Sequence, residues 1–411
     1  MLSGTVSRFA NDAGRLAALA VGFTLPISVA LDNTLLTIML AGWIAGGHYA
    51  DKLAAARNNI VCIGALVLFS ALALGAFYGV QSSADARSSL LKYLDLALVP
   101  IFAYYFRDPA MRRNGLLIFA AAMTLVLTYS FLVRFGVLDL GSLIRGSISS
   151  PVVFKFRVTH NFLMAFSAFL FTWLAIASQS RSEKVGCYEL AALAAFNVTL
   201  MVEGATGYII LFALALLLVF NLLSRRHVIA AIVAISLFMG LLVVTPGPLS
   251  SRLSLIAKEM QTWRPDNAAQ HSSAGLRLEF YKNTLKIIAE HPIAGVGTGG
   301  FAKAYAEKVQ GTEKTKTENP HNEYLMVAAQ TGLIGLAALL GLFATQWMAA
   351  KHLSTKLETG LARGLVLTMV IGCLFNSFLL DHTEGLFYAW FTGLLYSGLK
   401  YGPRDQSPVP A

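Results

Sequence analysis

The chain has 411 residues, 56% of them hydrophobic and 13% charged, with 26 Phe, a net charge of +10 and a mean hydropathy of +0.62. A soluble chain of this length would divide into two or three domains with more charge and shorter apolar runs. The composition excludes a soluble enzyme and marks an integral membrane protein, with no nucleic acid among its expected partners.

Twelve apolar stretches approach the ~20 residues that a bilayer demands. They cover roughly 14–31, 34–48, 58–80, 89–106, 115–137, 160–179, 186–202, 206–223, 227–246, 322–350, 361–380 and 384–400. Only helices and closed barrels satisfy backbone polar groups in lipid, and these runs lack period-two alternation. The expected fold is an all-α bundle of about twelve transmembrane helices with a large, partly helical loop between the ninth and tenth. The first stretch lacks a small-residue cleavage site and is followed at once by more spans, so it reads as a retained helix. The layout divides into residues 1–246 (helices one to nine), 247–320 (loop) and 321–411 (helices ten to twelve and a tail). Cys62, Cys187 and Cys373 lie far apart inside apolar runs, as unpaired small hydrophobes do.

With the amino terminus inside, sixteen Lys or Arg fall on cytoplasmic segments, and the short outside connections hold only Arg87 and Lys92. That asymmetry predicts both termini in the cytoplasm. The two longer outside segments, about 138–159 and 247–320, are basic as well, the second with ten Lys or Arg. Long loops escape the charge rule, so their charge points to an anionic ligand. Arg145, Lys155 and Arg157 crowd before the sixth span, and Arg277 sits in the larger loop. Guanidinium matches phosphate oxygens two at a time and stays charged.

Within that loop, Leu276, Phe280 and Ile287 or Ile288 recur at helical spacing, predicting an amphipathic helix over 273–290 that Pro292 ends. The run Gly295-Val-Gly297-Thr-Gly299-Gly300 follows a helix and a proline, not a strand, which rules out a dinucleotide fingerprint. Its glycines suit a sharp turn onto the bundle, and its N–H groups are candidates for an anion nest. His321-Asn322 then opens the tenth span, with Gly332 and Gly335 downstream. An ionisable side chain at a membrane helix mouth is a functional candidate, and imidazole is the group best suited to take a proton near neutral pH. His160 and His382 also fall on the outside; His48, His227 and His352 do not. Asp95 is the main charge expected near mid-membrane, too little for a transporter pathway.

Ser-Ser-Ala-Gly-Leu-Arg277, His291-Pro292-Ile-Ala-Gly-Val-Gly, Asn-Pro320-His321-Asn322-Glu-Tyr324-Leu and Gly332-Leu-Ile-Gly335-Leu together resemble the signature of the O-antigen ligase and polymerase superfamily. The resemblance spans the whole predicted topology. One departure stands out: relatives often carry arginine before Thr-Gly-Tyr, and here Ala205 holds that place. The resemblance implies a GT-C-like glycosyltransferase of a Gram-negative inner membrane with a periplasmic site. It implies transfer of O-antigen from undecaprenyl pyrophosphate to a sugar hydroxyl of lipid A-core, with inversion and with no cofactor or metal. His321 would be the base, Arg157 and Arg277 the principal pyrophosphate-binding residues with Lys155 and Arg145 beside them, and Asn322, Tyr324, His160, Lys92 and His382 further site residues. Glycan polymerase and protein O-oligosaccharyltransferase are the alternatives within the superfamily, and a lipid-linked glycan transporter the alternative outside it.

Overall fold

The computed structural model describes residues 4–138, 141, 146–262, 273–312 and 314–399. Among these every named element is helical. The chain alternates between two ends of a helical bundle, named here the His321 end and the opposite end. Helices α1 (Gly4–Thr24), α4 (Ile60–Gly75) and α7 (Pro109–Arg134) run towards the His321 end, as do α9 (Arg181–Phe196) and α16 (Lys356–Phe375). Helices α2 (Val29–Ala45), α6 (Asp95–Tyr105) and α8 (Arg157–Ala177) start at that end, as do α10 (Ala205–Leu222), α15 (Glu323–Ala349) and α17 (His382–Tyr396).

Among the described residues five helices are long and apolar enough to cross a membrane: α7, α8, α10, α15 with its 3₁₀ extension to His352, and α16. A sixth candidate is the pair α2 and α3 (Tyr49–Arg57), bent by 113°. The protein is thus a multi-pass membrane protein. Several expected spans are shorter than their apolar runs because polar residues break them. The stretch 89–106 divides into α5 (Ser83–Lys92) and α6, so Asp95 begins a helix at the His321 end instead of sitting mid-span. The stretch 361–380 stops being helical at Phe375, and Phe378, Leu379 and Leu380 form a buried turn.

The core is built of aromatic rings. Phe162, Phe166, Phe387 and Phe391 from α8 and α17 meet with centroids 4.7–5.0 Å apart, mostly edge to face. Such pairs add about 0.5–1.5 kcal/mol beyond area burial. They join the first turns of α8 and α17 into one wall of the His321 end.

Helix α11 (Arg225–Val244) covers the ninth apolar stretch, and the polar loop after it forms α12 (Pro248–Thr262), α13 (Ser273–Glu290) and α14 (Phe301–Lys308). Helix α13 covers the predicted amphipathic stretch and buries Phe280 and Ile287. After Pro292 the chain threads into a break in α15, where Gly332 adopts φ 65°. Leu333 N–H donates to Pro292 O, Val296 N–H to Ala329 O, and Gly297 N–H to Gln330 O. A Cβ on Gly332 would stand 2.1 Å from Ile293 O, so backbone contact and left-handed φ both demand glycine there.

Candidate active site at the His321 end

His321 has φ 57°, a conformation uncommon outside glycine, and the surroundings hold it there. Its N–H donates to Asn319 Oδ1 at 2.7 Å, and the Tyr281 hydroxyl of α13 donates to its carbonyl at 3.3 Å. The ring lies 6.3 Å from that of Phe280, so α13 lines one side of the imidazole. Nδ1 is 3.0 Å from Asn376 Oδ1, and Asn376 Nδ2 donates to Asp381 Oδ2 at 2.6 Å.

With Asp381 ionised, the network sets the proton positions. An ionised carboxylate only accepts, so Asn376 turns its amide nitrogen to Asp381 and its oxygen to the ring. His321 Nδ1 therefore carries the proton and donates it. Nε2 is left as the accepting nitrogen, with no hydrogen-bond partner among the described residues. Burial pushes Asp381 above the usual carboxylate range, opposed by the hydrogen bond from Asn376 and the charges of His321 and Lys92. This is a base, an orienting amide and a buried acid in series, the arrangement that holds an imidazole in one tautomer.

Arg277 stands on the helix that lines the imidazole. It lies one turn before Tyr281 on α13 and its charge opposes the upward push of burial on the Tyr281 phenol. Lys92, at the end of α5, acts on Asp381. Asn322 and Tyr324 are fastenings: Asn322 caps α15 through Leu325 N–H and donates to Leu374 O, and the Tyr324 hydroxyl donates to Val370 O at 2.8 Å.

The basic residues expected to bind pyrophosphate around the start of α8 are placed unlike one another. Lys155 is buried, donates to Thr383 Oγ1 at 3.1 Å and lies 3.9 Å from Asp32 Oδ2. Burial pulls its ammonium below the ordinary range, and Asp32 and Glu384 pull it back up. Its charge is thus already faced by carboxylates. Arg157 is half-exposed, 3.8 Å from Glu203. His160 is buried and its Nε2 pairs with Asn197 Oδ1 at 3.0 Å, tying α8 to the π-helical turn Asn197–Met201. His382 Nδ1 stands 4.0 Å from Asp95 Oδ2. Arg145 lies outside the described residues. The predicted nest also changes: Val296, Gly297, Thr298 and Gly299 give their N–H groups to Ala329 O, Gln330 O, Gly75 O and Gln330 Oε1, leaving none for an anion.

Sequence reasoning missed Asn376, the orienting part of Asp381, and the burial of Asp32, Asp95 and Glu384. Four acids, Asp32, Asp95, Glu323 and Glu384, stand in first turns of α2, α6, α15 and α17, where helix dipoles favour negative charge. The available signal was an Asn and an Asp at the polar break between the last two apolar runs. Among the described residues no group of three or more His, Cys, Asp or Glu is placed to hold a metal ion.

Residues 190–340 match the O-antigen ligase family. That match takes in Arg277, the glycine segment, His321, Asn322, Gly332 and Gly335, and so covers the motifs that carried the resemblance. An uncharacterized protein of Haemophilus influenzae (strain ATCC 51907 / DSM 11121 / KW20 / Rd) is 25% identical over 196 residues, 45% of this chain and 49% of that protein. The chain spans about half the length of this curated relative. Asn376 and Asp381 lie beyond the segment that matches O-antigen ligases, yet they fold back onto its histidine.

Proposed function

We propose that this chain is an inverting, metal-independent O-antigen ligase, which moves O-antigen from undecaprenyl pyrophosphate to a sugar hydroxyl of lipid A-core. The observation that carries the reading is His321 with Nε2 left to accept, oriented through Asn376 by Asp381 beside the arginine-bearing helix α13. In this reading the His321 end faces the periplasm of a Gram-negative inner membrane, both termini are cytoplasmic, and the short helices complete about twelve crossings in a GT-C-like arrangement. The three-part layout of spans, loop and spans is part of the same proposal.

His321 Nε2 takes the proton of the acceptor hydroxyl as its oxygen attacks the donor's anomeric carbon from the face opposite the pyrophosphate. The bond from that carbon to pyrophosphate oxygen breaks with inversion, and the lipid pyrophosphate leaves with the bonding electrons. Asp381, one amide away, faces the positive charge that develops on the ring. Arg277 and Arg157 counter the charge on the leaving group, in the manner of preorganised electrostatic stabilisation. An apolar groove of about 580 Å³ between α4 and α15, lined by Leu66, Val67, Ala71, Leu74, Thr331 and Ile334, suits an isoprenoid tail.

Glycan polymerase and protein O-oligosaccharyltransferase would use the same base with another acceptor. Deleting the gene separates the readings on a lipopolysaccharide gel. Ligase loss leaves core without a ladder and accumulates long lipid-linked polymer, whereas core bearing a single repeat means polymerase and an unaltered ladder overturns both. A transporter reading requires the purified protein to form no glycosidic bond.

A further inference from the structure

We propose that Glu323 is a positioning residue for His321, holding the turn that carries Asn376 and Asp381; the inference rests on the reading of His321 as the base. The tripeptide His321-Asn322-Glu323 grips that turn at three places. The His321 ring meets the Asn376 side chain, Asn322 Nδ2 donates to Leu374 O, and Glu323 Oε2 accepts from Leu379 N–H at 2.8 Å. Leu379 and Leu380 lie between Asn376 and Asp381, so the Glu323 carboxylate fixes the spacing of the two groups that orient the imidazole.

Glu323 is itself pinned. Its side chain is fully buried, and Oε1 accepts from the Tyr93 hydroxyl at 3.0 Å. Tyr93 in turn accepts from Gln330 Nε2 at 3.4 Å, and Gln330 Oε1 accepts from Gly299 N–H at 2.8 Å. Donors thus converge on Glu323 from two sides, from the glycine segment through Gln330 and Tyr93 and from the turn beside the histidine through Leu379. Both Glu323 oxygens act as acceptors, one from Tyr93 and one from Leu379, work that a carboxylate does and an amide cannot do in full. Removing a partner from such a buried network leaves the others unsatisfied.

The test reads the tautomer of His321 directly. Protein labelled with ¹⁵N-histidine and held in detergent at alkaline pH should show Nδ1 protonated and Nε2 bare for His321, a signal assigned by its loss in His321→Ala. In Glu323→Gln the signal should move towards Nε2 protonation, the form imidazole takes when nothing accepts from Nδ1. In the transfer assay the kcat of that variant should fall by up to about 100-fold, the cost of a small misplacement, with the donor KM unchanged. If Glu323→Gln fails to fold, Tyr93→Phe removes only the hydroxyl that pins Oε1 and should give a mixture of tautomers. A wild-type His321 without Nδ1 protonation, or an unchanged tautomer in every folded variant, overturns the proposal. A merely structural Glu323 would lower the melting temperature and leave tautomer and kcat alone. If instead the tautomer moves as expected while His321→Ala still transfers glycan, the positioning stands and the reading of His321 as base falls.

Discussion

The two ends of the bundle treat ionisable groups in opposite ways. At the opposite end, Arg112 and Glu358 form a buried ion pair at 2.7 Å between the first turns of α7 and α16, and Arg112 also donates to the carbonyls of Phe106 and Arg107. Lys52 there donates to Trp43 O and sits over the rings of Trp43, Tyr49 and Tyr104. The two buried cations of this end, Arg112 and Lys52, thus both have close partners, which is how a helix bundle anchors itself. At the His321 end, among the described residues, four buried carboxylates (Asp32, Asp95, Glu323 and Glu384) accompany one buried cation, Lys155, and Asp32 Oδ2 and Asp95 Oδ2 have no hydrogen-bond partner. A surplus of buried charge costs stability, and proteins keep it where chemistry uses it.

The sharpest way to break this contrast is to damage each end once. His321→Ala should lower transfer by about 100- to 10,000-fold, the usual contribution of general base catalysis, with folding intact. Arg112→Ala should leave the turnover of folded protein unchanged and cost about 3–5 kcal/mol of stability, because it strands Glu358 without its partner. Transfer rates and melting curves of both variants check this. A dead but stable Arg112→Ala would erase the distinction between the two ends.

Arg277→Ala should reduce kcat by about 100- to 1,000-fold, as loss of a preorganised donor does. Arg277→Lys should recover little, because an ammonium loses the two-pronged fit to phosphate. Full activity in the lysine variant would mean that a point charge suffices.

Asp381→Asn should slow turnover and at the same time stabilise the protein at neutral pH. Burial raises the folded-state acid above its unfolded value, so the ionised carboxylate burdens the folded state once pH exceeds both. The gain in melting temperature should shrink as pH falls towards the ordinary carboxylate range, where the acid is neutral in either state. A melting temperature that drops at neutral pH would place Asp381 with the anchoring charges. The smallest effect is expected for Gly332→Ala, about 1–3 kcal/mol of stability from the left-handed backbone and the clash with Ile293 O. Its residual transfer, measured per folded molecule, should stay near that of the wild type.

Much of this was legible in the sequence because it depends on local pattern. Apolar runs near the thickness of a bilayer require helices, whatever surrounds them. The 3.6-residue spacing of Leu276, Phe280 and Ile287 is itself the amphipathic face of α13, and a histidine between a basic loop and an apolar run must sit at a helix mouth. Runs overstate helices, however. Leu379 and Leu380 are apolar because the turn after Phe375 is buried, and hydropathy reports burial without reporting backbone conformation.

What only the tertiary structure decided is which charged groups meet. Lys155 and Arg157 are two residues apart and alike in charge, yet one is locked among Asp32, Thr383 and Glu384 while the other remains half-exposed beside Glu203. Asn376 and Asp381 lie more than fifty residues after His321 in the chain and reach it only because α16 and α17 return to the same end of the bundle. Hydrogen bonds and ion pairs act over a few ångströms in space, and for elements far apart in sequence that distance is set by helix packing alone.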